Sequence, residues 1–185
     1  CIDEMARRGT PYLGVLYAGL MIHPDGGIKV LEFNCRFGDP ETQVVLPLLD
    51  GDLGEIMLAC ANGELAKYSS GMMTTSEGKK SSIAIKPEAA VCVVLASGGY
   101  PGSYEKGKVI HGLDQITNDD QVVFHAGTKA GSGGEVLTNG GRVLGLTAIA
   151  SDFESARKKA YQMAEVVTFD DVHMRQDIGH RALKK

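Results

Sequence analysis

The sequence VLEFNCRFGDPE, residues 30–41, joins an apolar strand pattern to a group of charged and amide side chains. Side chains of a β-strand alternate between its two faces, so every second residue is predicted to point the same way. This alternation predicts one face that changes from apolar to polar along the strand. The side chains predicted to share that face are Ile28, Val30, Glu32, Asn34 and Arg36.

The polar end of this face has the side chains of a candidate metal and anion site. The Glu32 carboxylate and the Asn34 amide supply oxygen atoms, which suit Mg²⁺ or Mn²⁺. Arg36 carries a planar guanidinium that can bind a carboxylate or a phosphate through two hydrogen bonds. Strands also end in polar residues simply because the chain leaves the core, so the pattern alone leaves both interpretations open.

The residues after this strand predict a rapid change to helix. Asp39 is predicted to be the N-cap and Pro40 the first helical residue. Residues 42–49 have a helical pattern, which Pro47 is predicted to stop. A helix N-terminus attracts anions, because its first N–H groups lack partners within the helix. Asp39 and Glu41 complete the group of five charged and amide side chains in this stretch, with Glu32, Asn34 and Arg36.

Composition narrows the possible class of protein. The chain has 185 residues, enough for one domain or two small ones, and a formal net charge of -4. Its basic residues form no long runs, which argues against nucleic acid as a partner. Its apolar runs are far shorter than the ~20 residues that span a bilayer, so no membrane segment is expected.

The cysteines indicate the cellular compartment, and the first residues indicate whether the sequence belongs to a longer protein. The four cysteines show no Cys-x-x-Cys spacing, and Cys35, Cys60 and Cys92 lie in apolar patterns. Reduced thiols that pack as small apolar groups favour a cytoplasmic location. Residues 1–8 resemble the last turns of a helix, so the sequence is expected to be the C-terminal piece of a longer protein.

The first part of the chain is predicted to contain a hairpin and a scaffold helix. Strands at residues 12–22 and 28–34 flank a turn at residues 23–27. Gly19 within the first strand indicates a bulge, a close approach of a ligand to the backbone, or packing alone. The spacing of Asp52 and Glu55 predicts a helix N-terminus, and Gly63 predicts its end. Residues 69–82 have the Ser, Gly, Thr and Lys composition of a linker.

The linker divides the chain into residues 1–82 and residues 83–185. Beyond it, strands are predicted at 90–96, 109–110, 121–125, 135–138 and 142–150. A capping box at residues 151–154 predicts one amphipathic helix, and residues 169–185 are weakly patterned. The fold class is therefore predicted to be α+β, with a small strand-rich lobe at the C-terminus.

Glycine-rich segments in the second part are candidates for substrate contact. The segment at 131–134 is predicted to be a hairpin turn, because no Lys-Ser/Thr pair and no long helix follow it. The segments at 98–102 and 140–142 expose backbone amides beside an arginine, and such groups can hold a phosphate. Gly99, Tyr100 and Arg142 are the candidates there, with His125 as a possible hydrogen-bond donor at a strand end.

These segments together resemble the phosphoribosylamine-glycine ligase (glycinamide ribonucleotide synthetase) family of the ATP-grasp superfamily. The resemblance extends over nearly the whole chain, in the order found in the family. The matching blocks are GVLYAGLM (14–21), LEFNCRFGDPETQ (31–43), SGGYPGSYEKG (97–107), FHAGT (124–128), GGRVLGLTA (140–148) and DIGHRA (177–182).

The resemblance implies a reaction and a role for each candidate residue. ATP would phosphorylate glycine, and the amine of 5-phosphoribosylamine would attack the acyl phosphate, giving glycinamide ribonucleotide in purine biosynthesis. Glu32 and Asn34 would bind the Mg²⁺ or Mn²⁺ that bridges the ATP phosphates, and Arg36 would stabilise the acyl phosphate. Asp39 and Glu41 would line the substrate side of the site.

The resemblance also implies that part of the ATP site lies elsewhere. In ATP-grasp enzymes the nucleotide lies between two lobes, and the adenine-binding segment is expected to lie upstream of these 185 residues. The isolated chain is therefore expected to be inactive and to need the missing N-terminal part. Two alternatives remain, namely an ATP-grasp ligase with another acceptor and a catalytically inert interaction module.

Overall fold

The computed structural model describes residues 1–68 and 83–183, so the predicted linker at 69–82 lies outside the described residues. The chain forms two compact units, one with Cys1–Glu41 and Leu49–Lys86, the other with Thr42–Leu48 and Pro87–Lys185. Helices and strands occur in both. The elements are α1 (Ile2–Arg7), β1 (Tyr17–Ile22), β2 (Ile28–Asn34), α2 (Thr42–Val45), β3 (Leu49–Asp50), α3 (Leu53–Ala61), β4 (Ala84–Ile85), β5 (Ala89–Ser97), β6 (Gln121–His125), β7 (Thr128–Ala130), β8 (Val136–Thr138), β9 (Arg142–Ala150), α4 (Phe153–Val166) and β10 (Val172–His173).

The first unit contains an antiparallel hairpin of β1 and β2. β2 has the predicted bounds, whereas β1 begins at Tyr17, five residues after the start at residue 12 that the aliphatic pattern predicted. The turn at 23–27 is closed by a hydrogen bond from the His23 N–H to the Gly27 carbonyl, 2.8 Å long. The predicted hairpin is thus confirmed, with a shorter first strand.

A β-bulge divides this hairpin at Leu31. Gly19 pairs with Glu32 and Leu20 pairs with Val30, which leaves Leu31 as the extra residue. Of the three interpretations of Gly19, the register supports a bulge at this point of the hairpin, with the extra residue on β2. Because residues paired across a hairpin share a face, the bulge puts Glu32 on the face of Gly19, opposite the face of Val30.

The predicted face that joined Ile28 and Val30 to the polar residues is therefore wrong. Strict alternation requires an uninterrupted strand, and the extra residue reverses the faces beyond it. Most large apolar side chains of the hairpin are 46–67% exposed in the structure, namely Leu20, Met21, Ile22, Ile28, Val30, Leu31 and Phe33. Strand pairing and the bulge, rather than burial in a core, therefore fix the positions of Glu32 and Asn34.

The helix predicted directly after Gly38 begins later than expected. Residues 39–41 form a turn, the Asp39–Pro40 peptide bond is cis, and α2 begins only at Thr42. The assignments of Asp39 as N-cap and Pro40 as first helical residue are therefore wrong. These residues reverse the chain before helical hydrogen bonding starts.

α3 begins and ends as predicted. The Asp52 carboxylate accepts a hydrogen bond from the Glu55 N–H at 3.0 Å, the expected N-cap contact. After the helix, Gly63 adopts the left-handed conformation with φ of 70°, which glycine tolerates without steric cost.

The second unit is built on a four-stranded antiparallel sheet of order β10-β5-β9-β6. α4 packs on one face of this sheet and buries Ala156, Ala160 and Met163 against Leu144 and Leu146. Small residues on the helix allow the close approach. The predicted apolar face of this helix is confirmed.

The other face of the sheet receives α2. Gly145 and Thr147 alternate with the leucines of β9 and therefore point away from α4. The Thr147 hydroxyl is fully buried and donates a hydrogen bond to the Gln43 carbonyl at 3.0 Å. The sheet thus packs against helical segments on both sides.

The second unit also contains the hairpin of β7 and β8 and the C-terminal segment. β7 and β8 pair in antiparallel fashion around residues 131–134, which confirms the hairpin turn there. The weakly patterned C-terminal segment is more ordered than expected, because Val172 pairs with Ser97 and Phe169 is buried. Among residues 1–68 and 83–183, no helix is long and apolar enough to cross a membrane.

The N-cap of α4 is Asp152 rather than Ser151, one residue later than the predicted capping box. Its carboxylate accepts hydrogen bonds from the Ser155 N–H at 2.9 Å and the Ser155 hydroxyl at 2.7 Å. The backbone hydrogen bond from Ser155, followed by the hydroxyl, lowers the pKa of Asp152. The ionised carboxylate is therefore the capping form.

We expect Asp152→Ala to lower the melting temperature of the second unit by a few degrees at neutral pH, because the helix loses its cap. A carboxylate with a lowered pKa stabilises the fold above its unfolded pKa of about 3.9, and that contribution disappears as pH falls through the lower folded pKa. Thermal unfolding at pH 7 and below pH 4 checks this. Asp152→Asn keeps a capping side chain, and a pH-independent penalty for Asp152→Ala would contradict the assignment.

Candidate functional site

A polar cleft lies at the end of β2 in the first unit, with a volume of about 480 Å³. Pockets for small ligands typically have volumes of roughly 300–1,000 Å³. The cleft contains all five polar candidates predicted from residues 30–41. The lining residues are Tyr17, Gly19, Leu20, Leu31, Glu32, Asn34, Arg36, Gly38, Asp39 and Glu41.

Glu32 and Asn34 form the innermost pair of candidate ligands. The Asn34 Nδ2–H donates to Glu32 Oε1 at 2.9 Å, so both side chains converge on one point. A half-turn of the Asn34 amide would replace its nitrogen by Oδ1 and present two oxygen-bearing groups there. The space above Glu32 is kept open by Gly19, whose substitution by any larger residue would place a Cβ 3.2 Å from Glu32 Cγ.

This pair fits a cation that takes its remaining ligands from water and phosphate. Among the described residues, no group of three or more His, Cys, Asp and Glu side chains is placed to hold a metal ion. Mg²⁺ commonly binds one or two protein oxygens together with substrate phosphates and water. The chemistry of Glu32 and Asn34 therefore suits Mg²⁺ or Mn²⁺ in the presence of a nucleotide.

Tyr17 is a residue of the cleft that the sequence analysis did not identify. Its hydroxyl donates to Glu41 Oε1 at 2.9 Å, and this hydrogen bond is the main reason that the pKa of Tyr17 is raised. Gly38 makes the contact possible, since a Cβ there would lie 2.5 Å from Glu41 Oε2 and 2.9 Å from Tyr17 Cε2. Tyr17 pairs with Asn34 across the hairpin, and this pairing places it beside the candidate ligands.

Arg36 is exposed at the mouth of the cleft. One Nη1–H donates to the Phe37 carbonyl at 2.8 Å, which fixes one side of the guanidinium. A guanidinium carries further N–H donors in the same plane, and these suit the oxygens of a phosphate or carboxylate. Arg36 thus supplies positive charge beside the acidic residues of the cleft.

A second group of candidates lies in the second unit, where two glycine-rich turns meet. The Ser97 N–H donates to the Gly141 carbonyl and the Ser97 hydroxyl donates to the Gly140 carbonyl, both at 2.8 Å. A Cβ on Gly141 would overlap with the ring of Tyr100. The turn after β5 and the turn before β9 are therefore in direct contact, and they bring together Gly99, Tyr100 and Arg142.

A third glycine-containing segment packs against these turns. A Cβ on Gly127 would lie 2.5 Å from the Arg142 carbonyl oxygen and 2.6 Å from Gly140 Cα. His125 Nδ1 lies 3.0 Å from Thr128 Oγ1, so the histidine ring is held by its own turn. The segment after β6, the turn after β5 and the turn before β9 thus meet at one end of these strands, where their backbones approach closely.

The chain matches two domain families of one enzyme. Residues 1–42 match the phosphoribosylglycinamide synthetase ATP-grasp (A) domain, and residues 90–181 match the phosphoribosylglycinamide synthetase C domain. The first match contains the cleft at the end of β2. The second contains the three glycine-rich segments.

Known proteins resemble the chain along nearly its whole length. A phosphoribosylamine–glycine ligase of Synechocystis sp. is 51% identical over 181 residues, which cover 98% of this chain and 40% of that protein. The crystal structure of phosphoribosylamine–glycine ligase from Thermotoga maritima has 36% identity and a TM-score of 0.73, covering 94% of this chain and 39% of that one.

A more distant structure shares the fold alone. N5-carboxyaminoimidazole ribonucleotide synthetase from Thermotoga maritima is 15% identical with a TM-score of 0.54, over 85% of this chain and 37% of its own. These similarities confirm the predicted α+β class and the ATP-grasp portion. The chain spans about 40% of the length of the curated relatives that it matches. The match of both domains and the identity to these ligases show that the chain belongs to the phosphoribosylglycinamide synthetase family.

Proposed function

We propose that the complete protein joins glycine to 5-phosphoribosylamine at the expense of ATP, through a glycyl phosphate. The products are glycinamide ribonucleotide, ADP and phosphate, a reaction of purine biosynthesis. The observation that carries the proposal is the cleft in which Glu32, Asn34 and Arg36 converge. It lies in the part of the chain similar to an ATP-grasp domain, and the relatives bear the name phosphoribosylamine–glycine ligase.

Glu32 and Asn34 would hold the Mg²⁺ or Mn²⁺ of this reaction. When bound, the cation neutralises phosphate charge during transfer of the phosphoryl group. Asn34 lies on the same strand face as Glu32, and their 2.9 Å contact brings both side chains to one point, where a half-turn of the amide would present Oδ1 to the cation. The bulge at Leu31 fixes that face.

Arg36 would stabilise the glycyl phosphate, because a guanidinium binds two oxygens of such a group in one plane. Asp39 and Glu41 line the same cleft and would orient the amine of the substrate. The neutral Tyr17 hydroxyl donates to Glu41 and holds its carboxylate toward Gly38. Tyr17 is therefore a positioning residue in this scheme.

Gly99, Tyr100 and Arg142 would contact the ribose phosphate of the substrate. Backbone amides exposed by glycine and one guanidinium form a suitable anion site. We place residues 1–82 in the ATP-grasp part and residues 83–185 in the C-terminal part of the ligase. ATP would take its other contacts from the rest of the protein. The four cysteines are free thiols, and free thiols favour the cytoplasm as the compartment.

The test is ADP release by the complete protein with each substrate omitted in turn. Release that requires both glycine and 5-phosphoribosylamine would support the proposal, whereas release with another amine acceptor would favour a different ATP-grasp ligase. In a titration of Mg-ATP into the isolated 185 residues, we expect weak or undetectable binding. A micromolar complex there would contradict the need for the rest of the protein.

A further inference from the structure

Lys108 connects two acidic residues beside the turn formed by residues 98–102. Its Nζ lies 2.5 Å from Asp171 Oδ2 and 3.5 Å from Glu105 Oε2. The Lys108 side chain is only 17% exposed, whereas the two acids are largely open to solvent. The lysine therefore lies beneath the acids and joins two chain segments that come from different parts of the sequence.

The backbone of Lys108 is fixed independently of these ion pairs. Its N–H donates to Thr138 Oγ1 at 3.1 Å, and its carbonyl accepts from the Thr138 N–H at 2.9 Å. Thr138 lies in β8 and is fully buried. The Lys108 backbone is thus held against β8 by two hydrogen bonds, and its side chain extends from there to Asp171.

Asp171 in turn supports the start of the glycine-rich turn. A Cβ on Gly98 would lie 2.7 Å from the Asp171 carbonyl oxygen and 2.9 Å from Asp171 Cβ. Asp171 adopts a left-handed conformation with φ of 57°, which aspartate and asparagine tolerate better than most residues. Its successor Val172 pairs with Ser97, so any shift of Asp171 is passed to the residues at 97–99.

An ion pair whose carboxylate is largely open to solvent contributes little to stability, because water and salt screen it. The ion pair between Lys108 and Asp171 instead fixes the position of Asp171 against Gly98. We propose that Lys108 and Asp171 are positioning residues that hold the 98–102 turn in the conformation that binds the substrate phosphate. This inference rests on the proposed function, in which Gly99 and Tyr100 contact that phosphate.

The first experiment measures steady-state kinetics of the complete protein. Lys108→Met is expected to raise KM for 5-phosphoribosylamine by roughly tenfold, because a small displacement of a binding loop weakens its contacts. The KM values for glycine and ATP should change by less than about twofold, as should kcat, since the ion pairs removed are those with Asp171 and Glu105, which do not line the cleft of Glu32 and Asn34. Lys108→Arg keeps the charge and should restore most of the affinity.

Lys106→Met is the matched control, because within residues 83–183 the structure gives Lys106 no ion pair. Asp171→Asn is a second variant that keeps the left-handed conformation and removes the charge, and it should reproduce the Lys108→Met effect. The inference is overturned if KM for 5-phosphoribosylamine does not change in either variant. It is also overturned if the KM values of all three substrates rise together.

Calorimetric binding of ribose 5-phosphate to the complete protein separates this inference from the proposed function. Absence of turnover by the unsubstituted protein would reject the proposed ligase activity alone. Binding of ribose 5-phosphate that weakens roughly tenfold in both Lys108→Met and Asp171→Asn would still support the positioning role. Equal affinity in the unsubstituted protein and both variants would reject that role.

Discussion

Replacing Glu32 and Asn34 together by alanine in the complete protein is expected to abolish glycine-dependent ADP formation. The double variant removes both oxygen-bearing side chains that converge at the cleft. Phosphoryl transfer depends largely on positioning and charge neutralisation, so the loss in kcat should be about a thousandfold or more. ADP release at saturating Mg²⁺ and, separately, at saturating Mn²⁺ measures the effect.

Asp3→Ala is the matched control for removal of a surface carboxylate from the same unit. Asp3 lies in α1 and does not line the cleft. Circular dichroism should show unchanged folding, because the alanines replace exposed or half-buried polar side chains. Turnover near the unsubstituted level at either saturating cation would contradict a ligand role for the pair.

Arg36→Ala is expected to reduce kcat by roughly 10²–10³, the usual cost of losing one donor that stabilises charge in the transition state. Arg36→Lys should retain an intermediate activity, because an ammonium keeps the charge but lacks the planar pair of donors. KM for ATP should change little if the guanidinium acts on the acyl phosphate. Single-turnover formation of ADP would separate the chemical step from product release.

Arg8→Ala provides the comparison for loss of an exposed arginine in the first unit. Arg8 forms a surface ion pair with Glu4 at 2.7 Å, away from the cleft. An Arg36→Ala protein with unchanged kcat and a raised KM for ATP would show that Arg36 binds nucleotide instead. An Arg8→Ala protein with the same kcat loss would show that the effect is general.

Local patterns predicted the regular elements well. The bounds of β2, β6 and β9 follow from apolar runs closed by glycine or polar residues, and the N-cap at Asp52 follows from side-chain chemistry. The turn at 39–41 was not predicted, because Asp followed by Pro is typical both of a helix start and of a turn. Only the surrounding structure decides between the two.

The candidate site was predicted in its residue types but not in all of its members. Residues 32–41 are close in sequence, so a strand end followed by a turn brings them together. Tyr17 depends on the hairpin register. Gly19 suggested a bulge, but the sequence does not indicate on which strand the extra residue lies, and that extra residue shifts the register by one. The contact between Tyr100 and Gly141 depends on the pairing of β5 with β9, a long-range feature with no local signal.

The bulge at Leu31 gives the hairpin an amphipathic character along its whole length. Ile28, Val30 and Phe33 pair with Ile22, Leu20 and Ala18 on one side, while Glu32 and Asn34 pair with Gly19 and Tyr17 on the other. Hydrocarbon and ligand groups therefore occupy opposite sides of the same two strands. Substitutions at Ile28, Val30 or Phe33 therefore change the exposed apolar face of the hairpin and leave the pairing of the candidate ligands in place.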